Sequence, residues 1–132
     1  MKNTMLEMSR YAALARQAVA EGVVLLKNEA VLPLAPGGRA ALFGYAQFHY
    51  YKSGTGSGGL VNVTHVPNLP EILGGDGGYR LDAEVQARYA AWLADHPYEM
   101  GTGWAQEPWF QPEMPLDEEF VRAAAQRADT AF

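Results

Sequence analysis

Apolar residues recur along the chain in two patterns. Leu6, Tyr11, Leu14, Ala18 and Val19 return at helical spacing. They predict a first helix that Asn3 or Thr4 can cap, with Glu7 near its first turn and Gly22 as its stop. A short apolar run, Val23–Asn28 (VVLLKN), and a turn-rich stretch, Leu32–Gly38 (LPLAPGG), come next. From Arg39 to Tyr45 (RAALFGY) the apolar residues are nearly continuous between breakers, which reads as a strand buried on both faces in a parallel sheet. Asn68 can cap a helical turn, NLPEIL, with Pro70 in the first turn where a missing N–H does no harm, and Gly74–Gly78 (GGDGG) ends it. Tyr79–Leu81 offers a second short strand. Asp82 then caps a helix whose apolar face is Val85, Tyr89, Trp92 and Leu93, stopped by Pro97. Asp117 opens a last helix with Phe120, Val121 and Ala124 directed inward, and ADTAF announces a third strand at Thr130–Phe132. This order predicts an α/β fold with a short, mainly parallel sheet that is not complete within the chain.

Composition narrows the picture. Of the 132 residues, 48% are hydrophobic and 19% charged, enough to bury a core. A formal charge of −5 argues against a nucleic-acid partner, since phosphate contacts need Lys and Arg in excess. No apolar run approaches membrane-spanning length, so no membrane partner is expected. The opening MKNTMLEMSR lacks the apolar centre of a secretion signal, and a cytoplasmic location is expected. Cysteine is absent, and His49, His65 and His96 stand at no metal-ligand spacing. Neither a metal nor a cofactor is expected.

The candidate chemistry lies in the stretch Tyr50–Val63, YYKSGTGSGGLVNV. Gly54–Gly59 spells the dinucleotide pattern G-x-G-x-x-G, but that fingerprint must follow a strand tightly and open a helix. Nine residues separate Gly44 from Gly54, and the β-branched LVNVTHV after it favours extended chain. A P-loop needs Lys after the glycines, and Lys52 precedes them. A flexible linker remains open, although the apolar flanks FHYY and LVNV call for burial. A ligand-binding loop fits better, since α/β folds bind ligands beyond the carboxyl ends of their strands and glycine permits close backbone approach. A nucleotide-binding α/β protein using Gly54–Gly59 stays as an alternative.

Pro97–Pro115 is a long loop with four prolines and the aromatics Trp104, Trp109 and Phe110, which could stack on a sugar face or pack against a partner domain. Carboxylates are plentiful at Glu107, Glu113, Asp117, Glu118 and Glu119. Glu118 and Glu119 are explained by the dipole of the helix they start, and spacing alone selects no glycosidase pair.

Three blocks, ARQAVAEGVVLLKNEAVLPL (Ala15–Leu34), AALFGY (Ala40–Tyr45) and KSGTGSGGLVNVTHVPNLPEIL (Lys52–Leu73), stand in one order and spacing. Together they resemble the opening of the α/β-sandwich domain of glycoside hydrolase family 3, the β-glucosidase group. The resemblance covers about half the chain strongly and the later helices and ADTAF more weakly. It implies a partial three-layer sandwich over residues 1–132, truncated before the sheet is complete, of the subgroup whose sandwich precedes its catalytic barrel. It implies a retaining glycosidase acting on a small β-linked glucoside or oligosaccharide, with an Asp nucleophile on the barrel and a Glu acid/base on the sandwich. Ser57 would contact the sugar, and Lys52, Ser53, Gly54, Thr55, Gly56 and Gly58 would shape the rim. Neither catalytic carboxylate is expected in this chain, so the isolated piece is expected to be inactive. Its partners would be the absent barrel and, through its open sheet edge, further copies of itself. A non-catalytic sugar-binding module that reuses the fold is the other alternative.

Overall fold

The computed structural model describes residues 7–50, 63, 65–102, 106 and 108–132. The chain divides into two compact units, Met1–Leu34 and Ala35–Phe132.

In the first unit, helix α1 spans Met8–Gly22. Asn3 and Thr4, the expected caps, lie outside the described residues, as does Leu6. Glu7 occupies the cap position without a side-chain bond to the helix, and no residue of α1 is buried. The expected apolar positions Tyr11, Leu14 and Val19 all lie exposed. Val23–Leu26 forms no regular element and is exposed as well. Asn28 then organises a turn. Its Oδ1 accepts from the Val31 and Leu32 N–H groups, and its Nδ2 donates to the Leu32 carbonyl.

The second unit holds the sheet. Strand β1 covers Arg39–Ala41 and is followed by a 3-10 turn, Tyr45–Gln47. Helix α2 (Leu69–Gly74), strand β2 (Arg80–Leu81), helix α3 (Ala83–Asp95), helix α4 (Glu118–Arg127) and strand β3 (Thr130–Ala131) complete it. The strands lie in the order β2-β1-β3, all parallel, with Ala40 opposite Leu81 and Thr130. The expected α/β class, the parallel sheet and its unclosed edge are all present. Asp129 fixes the β1–β3 register, because its carboxylate accepts from the Arg39 backbone N–H at 2.9 Å and from the Arg39 guanidinium at 3.0 Å.

β1 is shorter than the run Arg39–Tyr45 suggested. Pairing reaches Phe43, whose N–H donates to the Phe132 carbonyl. The chain then turns at Gly44 with φ of 94°, a left-handed conformation that suits a residue without Cβ.

The three cap residues read from the sequence in this unit all work as caps. Asn68 accepts from Glu71 N–H, Asp82 from Glu84 and Val85 N–H, and Asp117 from Phe120 N–H. Each satisfies donors that a helix start otherwise leaves unpaired. Helices α3 and α4 bury Val85, Tyr89, Phe120 and Ala124 together with Ala41 and Met114, and Phe43, Phe48 and Trp92 pack around them. Val121 departs from the expected inward set, being 40% exposed while Phe120 and Ala124 are buried. A residue adjacent to Phe120 is rotated about 100° around the axis and leaves the buried stripe.

The GGDGG turn closes α2 tightly enough to need its glycines. The Gly75 N–H donates to the Glu71 carbonyl and the Gly77 N–H to the Ile72 carbonyl. A Cβ at Gly77 would lie 2.9 Å from the Leu73 Cα and carbonyl oxygen, which are backbone atoms with little freedom to retreat. Gly77→Ala should therefore destabilise the chain by about 1–3 kcal/mol, read as a lowered urea midpoint at unchanged m-value.

Candidate functional site

Ligands of open α/β sheets bind beyond the carboxyl ends of the strands. At that end of β1 the chain runs Leu42, Phe43, Gly44 and into the 3-10 turn, and a cavity of about 190 Å3 lies there. Tyr45, Ala46, His49, Tyr98, Gln111 and Glu113 line it.

Its walls are built by residues distant in sequence. Three rings are stacked: His49 lies 4.7 Å from Tyr98 and 5.4 Å from Tyr45, with interplanar angles of 17° and 20°. Burial lowers the pKa of His49 below the ordinary imidazole value, because the imidazolium would lose hydration there. The Glu113 carboxylate accepts from the Tyr45 N–H at 2.6 Å and the Met114 N–H at 2.8 Å, and the Tyr89 hydroxyl stands 3.3 Å away. The same hydroxyl accepts from the Gly44 N–H at 2.7 Å. Burial raises the pKa of Tyr89, so its hydroxyl stays protonated and can donate to Glu113. Behind the turn, Gln47 is buried, with its Nε2 on the Leu42 carbonyl and its Oε1 accepting from Gln86.

The long loop of residues 97–115 is pinned at its neck. Gln111 Nε2 donates to the Glu99 carbonyl while Gln111 Oε1 accepts from the Glu99 N–H. Beyond this neck Trp109 and Phe110 stand 91% and 78% exposed. Neither lines the cavity.

The residues assigned to the sugar rim, Lys52, Ser53, Gly54, Thr55, Gly56, Ser57 and Gly58, lie outside the described residues, as do Trp104 and Glu107. Of the histidines, His49 lines the cavity, His65 pairs with Glu71 at 2.8 Å and His96 stacks on Trp92. Among the described residues no cluster of His, Cys, Asp or Glu could hold a metal ion, and no helix is long and apolar enough to cross a membrane. Sequence reasoning counted Glu113 only among the carboxylates and did not single out Tyr45, Tyr98 or Gln111. The one local signal for Glu113 is its place between Pro112 and Pro115, which stiffen its backbone next to a helix cap.

No family model matches the chain. Curated relatives do. A β-glucosidase of Ruminococcus albus is 46% identical over 127 residues, covering 96% of this chain and 13% of the relative. β-Glucosidase A of Butyrivibrio fibrisolvens is 38% identical over 128 residues, 93% of this chain and 14% of the relative. Among solved structures, a β-glucosidase from Paenibacillus barengoltzii superposes with a TM-score of 0.82 at 42% identity, over 96% of this chain and 14% of that one. β-Glucosidase 3B from Thermotoga neapolitana, in complex with α-D-glucose, gives 0.78 at 31% identity, over 95% and 17%. The chain thus spans about one seventh of the length of the curated relatives it matches. It is similar over nearly its whole length, in sequence and in fold, to one segment of β-glucosidases, which bears out the resemblance that its sequence blocks carry.

Proposed function

We propose that this chain is the opening segment of the α/β-sandwich domain of a retaining β-glucosidase-like enzyme, and that it supplies part of the wall of the sugar pocket. The carrying observation is the match to β-glucosidases over 96% of the chain, in sequence and in structure. Retention requires two carboxyl groups about 5 Å apart across the scissile bond. In this reading both belong to other parts of the enzyme, and this segment contributes Ser57 and its neighbours as polar contacts to the sugar. The glucose complex of the Thermotoga neapolitana enzyme supports a glucoside as the ligand class. Substrates would be small β-linked glucosides or oligosaccharides.

A segment exchange tests this. Residues of this chain replace the matching segment of the Paenibacillus barengoltzii β-glucosidase, and hydrolysis of a chromogenic aryl β-glucoside is measured. The hybrid should turn over, and Ser57→Ala within it should raise KM about tenfold, the effect of one lost sugar hydrogen bond. The 132-residue chain alone should show no turnover. A folded hybrid without activity would overturn the reading.

A further inference from the structure

The chain leaves β1 through a bend that a single carboxylate holds. Two distant stretches meet on Glu113, which lies in the segment before α4. The 3-10 turn arrives through the Tyr45 N–H and α3 through the Tyr89 hydroxyl, and the carboxylate also accepts from the N–H of its own neighbour Met114. Tyr89 extends the set by accepting from the Gly44 N–H, so both amides of the bend, at Gly44 and Tyr45, are held by one connected group. Gly44 is the pivot, at φ of 94°, and a Cβ built there would lie 3.9 Å from Glu113 Oε2. Among the described residues Glu113 forms no ion pair, so its acceptor capacity goes to neutral donors. A carboxylate suits this position because it is acceptor-only on both oxygens, whereas an amide would turn an N–H2 toward one of the donors.

We infer that Glu113 is a positioning residue: through Tyr89 and the Gly44 and Tyr45 amides it fixes the direction in which the chain leaves β1 on its way to Tyr50. The clamp itself stands on described contacts. Its bearing on sugar binding rests on the function proposed above, since the chain beyond Tyr50 carries the residues assigned to the sugar. A role confined to stabilising the start of α4 would alter global stability without singling out the bend.

The experiment has two arms. In the 132-residue chain, hydrogen exchange is followed by mass spectrometry in Glu113→Gln and in Tyr89→Phe, which removes the hydroxyl between Glu113 and the Gly44 N–H. Exchange in the peptide covering Gly44–Tyr50 should quicken about tenfold more than the peptides of α3 and α4, whose rise is set by the loss of global stability alone. Unchanged exchange at the bend in both variants, or a uniform rise everywhere, overturns the clamp. In the hybrid enzyme, Glu113→Gln should raise KM for the aryl β-glucoside about tenfold with kcat changed less than about threefold. Quickened exchange with unchanged KM would confine Glu113 to the bend and overturn its role in the site. An inactive wild-type hybrid would overturn the proposed function together with that role, leaving the clamp to be decided by exchange alone.

Discussion

Tyr89→Ala should cost about 3–5 kcal/mol, the range for deleting a buried aromatic ring, and so remove much of the stability of a domain this size. Tyr89 is fully buried, at the centre of the cluster formed by Ala41, Val85, Met114, Phe120 and Ala124, with the Phe48 ring 5.8 Å away. Its truncation opens a cavity within that cluster. It also leaves the Gly44 N–H without its acceptor and takes one donor from Glu113. Tyr89→Phe separates these effects. It keeps the ring and should lose only about 1–2 kcal/mol, the cost of one unpaired amide. The pH dependence gives a further check. Burial raises the folded-state pKa above the ordinary tyrosine value, so the unfolded chain ionises first on the alkaline side. The contribution is intact below about pH 10 and is lost as pH rises through the folded value, and Tyr89→Phe abolishes that alkaline loss. Urea unfolding followed by far-UV circular dichroism at neutral pH and at alkaline pH reads both effects. A Tyr89→Ala chain as stable as wild type would show that the cluster is not the core.

Much of the second unit was legible in the sequence because its signals are local. An Asp or Asn ahead of an apolar periodic run can do little but cap, and Asn68, Asp82 and Asp117 all do so. The uninterrupted apolar run after Arg39 marks a strand with neighbours on both sides, and β1 lies in the middle of the sheet. Thr130 and its neighbours likewise form the strand that ADTAF announced. What escaped depends on contacts between distant positions. Tyr45 and Glu113 are 68 residues apart, and Tyr89 and Gly44 are 45 apart. Nothing in either neighbourhood marks the partner. Val121 departs for a different reason, since it adjoins Phe120 on α4 and leaves the buried stripe. α1 shows the opposite failure. Its helical period predicted the helix, but periodicity says nothing of whether a partner covers the apolar stripe, and within this chain none of it is buried. Matched blocks of sequence carried the family resemblance because they constrain order and spacing together, which no single motif among them does. GTGSGG alone fits a dinucleotide fingerprint as well as it fits a sugar loop.

Asp82→Ala should destabilise the chain by about 3 kcal/mol, because one side chain performs two tasks. Asp82 Oδ1 accepts from the Glu84 and Val85 N–H groups at the start of α3. Its Oδ2 receives Arg127 Nε at 2.7 Å from the last turn of α4, which also sends Nη1 to Glu84. The Asp82 side chain is only 3% exposed, so removing it strands two helix-start donors and part of a guanidinium together. Asp82→Asn divides the two tasks. Asn caps about as well as Asp, but its amide N–H2 would face the Arg127 donors, so it should lose about half as much as Ala. The pH profile follows from the same geometry. The Arg127 hydrogen bonds, and then the cap donors, hold the Asp82 carboxyl below the usual carboxylate range against the opposing effect of burial. A depressed folded-state pKa contributes stability above the unfolded value of about 3.9 and loses it as pH falls through the folded value. Wild type should therefore weaken on acidification below about pH 4, while Asp82→Asn changes less over the same interval and the gap between them narrows. Asp117 and Asp129 are lowered in the same direction, by the Phe120 N–H with Arg88 and by Arg39 respectively, and their exposure makes them smaller contributors to the same acid loss. Denaturant midpoints of wild type, Asp82→Asn and Asp82→Ala measured from pH 7 down to pH 3 decide the matter. The absence of a gap between wild type and Asp82→Asn at pH 7 would show that the Arg127 pairing adds nothing to the cap, and a gap that does not narrow toward pH 3 would show that the Asp82 carboxyl is not the group lost on acidification.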